Sequence, residues 1–162
     1  MSGYTWKLID WFKQNKGKSK TRLAINSNLG DDEKVTQLID AFKDTDIELD
    51  LYTSVEAWGE RASYIRDGMD WNAWHSTFFR LVSGISGKDQ VGRVTWKHPV
   101  RKVHVMCTIN ALCVLEGLPD FLVHANTLKA VYGKDTMSFT LNILRFPSFQ
   151  SPLVLPPELR QQ

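Results

Sequence analysis

The stretch LKAVYGKDTMSFTLNILRF, residues 128–146, decides how the sheet of this chain is read. Residues 128–132 are rich in apolar side chains, and Gly133, Lys134 and Asp135 supply turn chemistry. Met137, Phe139, Leu141 and Ile143 then alternate with Ser138, Thr140 and Asn142. Two such runs joined by a short glycine-containing turn predict a β-hairpin, with the alternating residues on its buried face. Upstream, a period of two runs through Val94 and Trp96 and then Val103, Val105, Cys107 and Ile109. Pro99 interrupts it, so the spacing predicts two strands, or one bent strand, ending near Leu115. Gly117 and Pro119 mark a turn, and residues 120–126 fit a short helix.

The first half carries helical periodicity. Gly30 and Asp31 open a helix in which Val35, Leu38, Ile39 and Phe42 follow the i, i+3, i+4, i+7 rule. Ile47, Leu49 and Leu51 alternate with polar neighbours, as on a half-buried strand. Thr53 and Glu56 have the spacing of a capping box for a helix with Val55, Trp58, Ala62 and Ile65 inside. Asp70 caps a further helix whose stripe is Trp71, Trp74, Phe78, Leu81 and Val82, ending at Ser83 and Gly84. Residues 23–28 read as a link. Helices first and strands afterwards predict an α+β fold, with helices packed on one face of a mostly antiparallel sheet. The expected organisation is a single compact domain with a basic N-terminal arm and link (1–30), an α+β core (31–146) and a proline-containing tail (147–162).

The 162 residues, 43% of them hydrophobic and 23% charged, suit one globular domain with a genuine core. No segment approaches about 20 uninterrupted apolar residues, and Asp10 and Lys13 interrupt any apolar centre of a signal peptide. Cys107 and Cys113 lie in one apolar stretch. On a continuous strand they would stand roughly 20 Å apart, too far for a disulfide, so buried free thiols are expected.

Charge is concentrated in residues 6–22 (WKLIDWFKQNKGKSKTR). Lys7, Lys13, Lys16, Lys18, Lys20 and Arg22 against Asp10 alone give +5, in a chain whose total is +2. On a helix over residues 4–14, Tyr4, Leu8, Ile9, Trp11 and Phe12 share one face, with Lys7, Asp10, Lys13 and Gln14 opposite. An aromatic apolar face backed by lysines is the profile of a helix at a membrane surface; docking on the protein's own core would use the same face. Each lysine near an anionic leaflet adds about 1 kcal/mol of attraction, and phosphates of RNA attract the same charges. A second basic cluster comprises Arg93, Lys97, Arg101 and Lys102, with His98 and His104 among them. It fits either a charge-protected edge strand or a contact for phosphate groups.

A catalytic reading fails at several points. The glycines do not form a phosphate-binding loop, and no cysteine pairing has zinc-site spacing. His98 and His104 sit among cations, and Cys107 alternates with apolar residues as a buried structural thiol does. No enzyme, catalytic residue, metal or cofactor is therefore expected.

The leader WKLIDWFKQNKGKSK, the segments ELDLYTSVEAW and DWNAWHSTFFRLVSGIS, and the late AVYGKDTMSFTLNI together resemble, in order, the matrix proteins of rhabdoviruses, most nearly the shorter ones of plant-infecting members. The string Leu155-Pro156-Pro157-Glu158-Leu159 departs from the PPxY motif that many of them carry, because it lacks the tyrosine. The resemblance implies a non-enzymatic structural protein that self-associates and bridges the nucleocapsid to the inner face of a membrane. Its implied locations are the virion, the host cytoplasm and the inner face of host membranes. Its partners would be further copies of itself in an oligomer or lattice, an anionic membrane, the nucleocapsid or nucleoprotein, and RNA. Membrane or nucleocapsid binding would fall to Lys7, Trp11, Phe12, Lys13, Lys16, Lys18, Lys20 and Arg22, and self-association or membrane contact to the loop at 85–90. The alternatives are an RNA-binding viral accessory protein or silencing suppressor, and a small enzyme or ligand-binding domain with an aromatic pocket around Trp71, Trp74 and Phe78.

Overall fold

The computed structural model describes residues 3–16, 22–87 and 98–160. In chain order the elements are α1 (Gly3–Lys16), β1 (Arg22–Asn26), α2 (Asp32–Phe42), β2 (Glu48–Ser54), α3 (Glu60–Ile65), α4 (Trp71–Ile85), β3 (Val100–Ile109), α5 (Leu118–Tyr132), β4 (Met137–Ile143) and a terminal turn of helix, α6 (Pro157–Arg160). The four strands form one sheet in the order β1-β2-β3-β4, and every neighbouring pair is parallel. The expected mostly antiparallel α+β arrangement is therefore wrong. The fold is α/β, because each strand returns to the start of the next through at least one helix.

The physical reason lies in residues 128–146. Residues 128–132 are not a strand but the last turn of α5, whose Leu118, Phe121, Ala125 and Leu128 are buried at helical spacing. Pro119 sits in the first turn, where its missing N–H costs nothing. Gly133 is not a hairpin turn. At φ 101° it ends the helix, and its N–H donates to the Lys129 carbonyl at 3.0 Å. Of the alternating residues that follow, Met137 is buried and Phe139 half-buried, whereas Leu141 and Ile143 are exposed.

Residues 22–26 also depart from expectation, forming strand β1 rather than a link, with Leu23 beside Leu49 and Ile25 beside Leu51. Asp31 and Asp70 cap α2 and α4 as the sequence predicts, each side chain accepting from a backbone N–H at 3.0 Å. The Thr53–Glu56 capping box does not form. Thr53 belongs to β2, and α3 starts at Glu60 behind Gly59 without a side-chain cap. The C-terminal segment is folded back: Gln150 O accepts from Ala111 N at 2.8 Å, and Ser151 is buried.

One face of the sheet makes the core. Leu49, Leu51, Val103, Val105, Cys107 and Met137 join Phe42, Trp74, Phe78, Leu81 and Phe121 from the helices in one buried cluster. Each such side chain contributes about 1.5–3 kcal/mol by leaving water. The opposite side of the strands carries Asp50, Tyr52, Lys102, His104, Ser138 and Thr140, brought side by side by the register.

Candidate functional site

Three places in the fold gather chemistry. The first is α1. Trp6, Ile9 and Phe12 form a stripe at i, i+3, i+6 that joins the core; Ile9 is 2% exposed. The face read as continuous in sequence is thus split. Phe12 turns inward, while Tyr4, Leu8 and Trp11 lie on the far side at 85%, 54% and 51% exposure. Lys7 lies over the Tyr4 ring, 5.8 Å from its centroid, and Lys7 and Lys13 are exposed. Lys18 and Lys20, and the side chain of Lys16, lie outside the described residues. Arg22 is not part of a free arm: it starts β1 and pairs with Glu48 at 3.6 Å and Asp50 at 4.0 Å.

The second is the polar face of the sheet. Asp50 is 5% exposed, and its Oδ2 accepts from Arg101 Nη2 at 2.7 Å. His104 stacks on Tyr52 with ring centroids 4.4 Å apart, and its Nδ1 lies 2.6 Å from Ser138 Oγ. Serine, histidine and aspartate stand in a row, but they do not make a relay. His104 Nε2 is 3.8 Å from Asp50, beyond a hydrogen bond, and Asp50 is already engaged by two guanidinium groups. Burial, aided by Lys102 and Arg101, holds the imidazole below its ordinary pKa against the pull of Asp50, which weakens it as a base. The network clamps β2, β3 and β4 together. Of the second basic cluster, Arg101 is paired with Asp50 and Lys102 is half-buried on the strand, while Arg93 and Lys97 lie outside the described residues.

The third is the carboxyl end of the sheet, where parallel α/β folds keep their ligand sites. Glu56, 3% exposed, is held there by both nitrogens of an Arg66 fork at 2.7 and 2.8 Å. Beside it a polar cleft of about 430 Å³ is lined by Asn28, Asp31, Lys34, Ser54, Arg66 and Asp70. Its two carboxylates at the helix starts are spent on capping, and Asp31 also binds Lys34 at 2.7 Å.

The other sequence candidates take structural places. Trp71, Trp74 and Phe78 are buried and stacked on one another, so they form core rather than an open aromatic pocket. His75 and His124, remote in sequence, meet with Nε2 atoms 3.2 Å apart beside Trp58, and burial lowers both pKa values. No group of three or more metal-ligating side chains occurs among the described residues. Cys107 and Cys113 are free and fully buried, and burial pushes the Cys107 thiol up to about 12. Neither is expected to react with a disulfide reagent at pH 8 while the protein is folded, and both should react after unfolding in denaturant; rapid native-state labelling would contradict this burial. Sequence reasoning missed Glu56–Arg66, Asp50–Arg101 and His75–His124, for which spacing along the chain carries no signal.

No known protein family, curated protein or solved structure matches the chain.

Proposed function

We propose that the protein is a non-enzymatic, matrix-type adaptor that attaches to the anionic face of a membrane through α1 and self-associates there. The outward stripe of Tyr4, Leu8 and Trp11 carries this reading. Large apolar side chains at i, i+4 and i+7 normally face a core, yet the core of this protein is met by the opposite stripe. The outer stripe is therefore held in place and exposed, with Lys7 over the Tyr4 ring at its flank and an edge contact between Trp11 and Phe12 on the same helix. Insertion of one tryptophan, one leucine and one tyrosine edge supplies an apolar term, and each lysine near the surface adds about 1 kcal/mol. Such attachment is reversible and weakens with salt. No helix of the described residues is long and apolar enough to cross a membrane, so contact from one side is the mode this reading uses. The buried, protonated thiols and the clamped His104 support a role without nucleophilic chemistry. The bridge to a nucleocapsid belongs to the same reading and rests on the lysine-rich segment that follows α1.

The test is co-sedimentation with vesicles. Removing residues 1–22 is the wrong variant, because it strips Ile9 from the core and Arg22 from β1. Leu8→Gln with Trp11→Gln changes only exposed positions. The wild-type chain is expected to pellet with phosphatidylserine vesicles at low salt and not with neutral ones, and the double variant to lose at least about tenfold in affinity. Equal pelleting of both proteins removes α1 as the anchor. Preferential binding of single-stranded RNA, unaffected by the two substitutions, favours the RNA-binding alternative.

A further inference from the structure

Strand β4 ends the sheet. It pairs with β3 on one side, and residues 137–143 make no backbone hydrogen bond beyond that ladder to any other described residue. Sheet edges are ordinarily blunted by charge, proline or shortness, since an open row of N–H and C=O groups recruits another strand. The other edge follows this rule: β1 has five residues and begins with Arg22. Strand β4 does not. It is seven residues long, MSFTLNI, with no charged residue and no proline. Leu141 and Ile143 point to the side of the sheet that carries the core, yet they are 51% and 55% exposed, and Phe146 and Phe149 just beyond are 86% and 73% exposed.

We infer that the β4 edge is a self-recognition surface whose partner is the β4 of a second copy. The pattern of the strand selects that occupant. Antiparallel pairing about a two-fold axis at Thr140 sets Phe139 opposite Leu141, Met137 opposite Ile143 and Ser138 opposite Asn142, while Thr140 meets itself. Every apolar residue faces an apolar one and every polar residue a polar one, on matching faces of the sheet. A strand of this alternation is complementary to its own reverse, which is the requirement of an isologous interface. Pairing continues the four strands into an eight-stranded sheet, satisfies the open backbone row, and lets the two uncovered Leu141 and Ile143 side chains pack across the junction. The inference rests on the proposed function only in expecting copies to meet. The surface lies on a different element from α1 and operates without lipid.

Thr140 is exposed, and its self-opposition provides the test. Analytical ultracentrifugation of the full chain without lipid is expected to show a dimer, twice the 18.6 kDa of one chain. Thr140→Lys and Thr140→Glu each place like charges directly opposite across the axis, and each should sediment as a monomer with an unchanged circular dichroism spectrum. An equimolar mixture of the two should recover the dimer, because lysine then faces glutamate. A wild-type monomer, charge variants that dimerise as the wild type does, or a mixture that stays monomeric overturns the β4 edge as the interface. A chain that dimerises in this way and ignores anionic vesicles refutes the membrane reading alone. One that binds vesicles and never dimerises refutes this inference and leaves membrane attachment through α1 standing.

Discussion

Arg66→Ala is expected to lower folding stability by about 3–5 kcal/mol at neutral pH, among the largest effects of any surface-accessible substitution in the chain. The arginine is not deeply buried; its side chain is 38% exposed, but the carboxylate it holds is only 4% exposed. Removing the fork leaves Glu56 charged, buried and without either of its hydrogen bonds at 2.7 and 2.8 Å. The cost arises from desolvation of Glu56 rather than from the value of the pair itself. Arg66→Met combined with Glu56→Gln should therefore lose much less than the single variant. Urea midpoints of the wild type, the single variant and the double variant at neutral pH check this. A deficit below about 1 kcal/mol for Arg66→Ala would show that Glu56 is not held as described.

The same pair illustrates what the sequence could and could not disclose. The helices α2 and α4 are legible because two local signals coincide, an aspartate cap and an apolar stripe at helical spacing. Strands β2, β3 and β4 are legible as strands for a reason that also misleads. Parallel sheets are ordinarily covered on both faces and read as continuous apolar runs. Here β2, β3 and β4 alternate, because only one face of the sheet is apolar. Alternation is the signature of an antiparallel sheet, and Gly133-Lys134-Asp135 has the chemistry of the hairpin turn that such a sheet needs. What decided the topology was the burial of Phe121, Ala125 and Leu128 on α5, a helical period that the following strand pattern masked. The N-terminal helix posed a different difficulty. It is aromatic on two opposite sides, so its sequence alone does not state which side meets the core. The polar contacts were illegible outright: Asp50 and Arg101 are separated by 51 positions and meet where the β2–β3 ladder shifts register, Arg101 being the residue left without a partner on β2. His104 lies beside Ser138 through the β3–β4 register.

Trp74→Ala is expected to cost about 3–5 kcal/mol, enough to lower the melting temperature by roughly 10 °C in a domain of this size. Trp74 is 1% exposed and ties α4 to the middle of the sheet. Its ring stacks on Phe78 at 4.8 Å and Trp71 at 5.4 Å, and its Nε1 donates to Thr53 Oγ1 at 3.0 Å. Two different losses are combined in the alanine variant, and graded substitutions separate them. Trp74→Phe retains most of the apolar volume but leaves the Thr53 hydroxyl, 2% exposed, without its donor; about 1–3 kcal/mol should be lost. Adding Thr53→Val to Trp74→Phe removes the stranded hydroxyl at nearly constant shape, so the double variant should be more stable than Trp74→Phe alone. Additive losses would mean that the indole and the hydroxyl do not interact, and that α4 sits on β2 in another register. Because vesicle binding is read on α1 and dimerisation on β4, variants at Trp74 that remain folded should leave both unchanged. Loss of either by a folded Trp74 variant would place that activity in the core packing instead of on the two exposed elements.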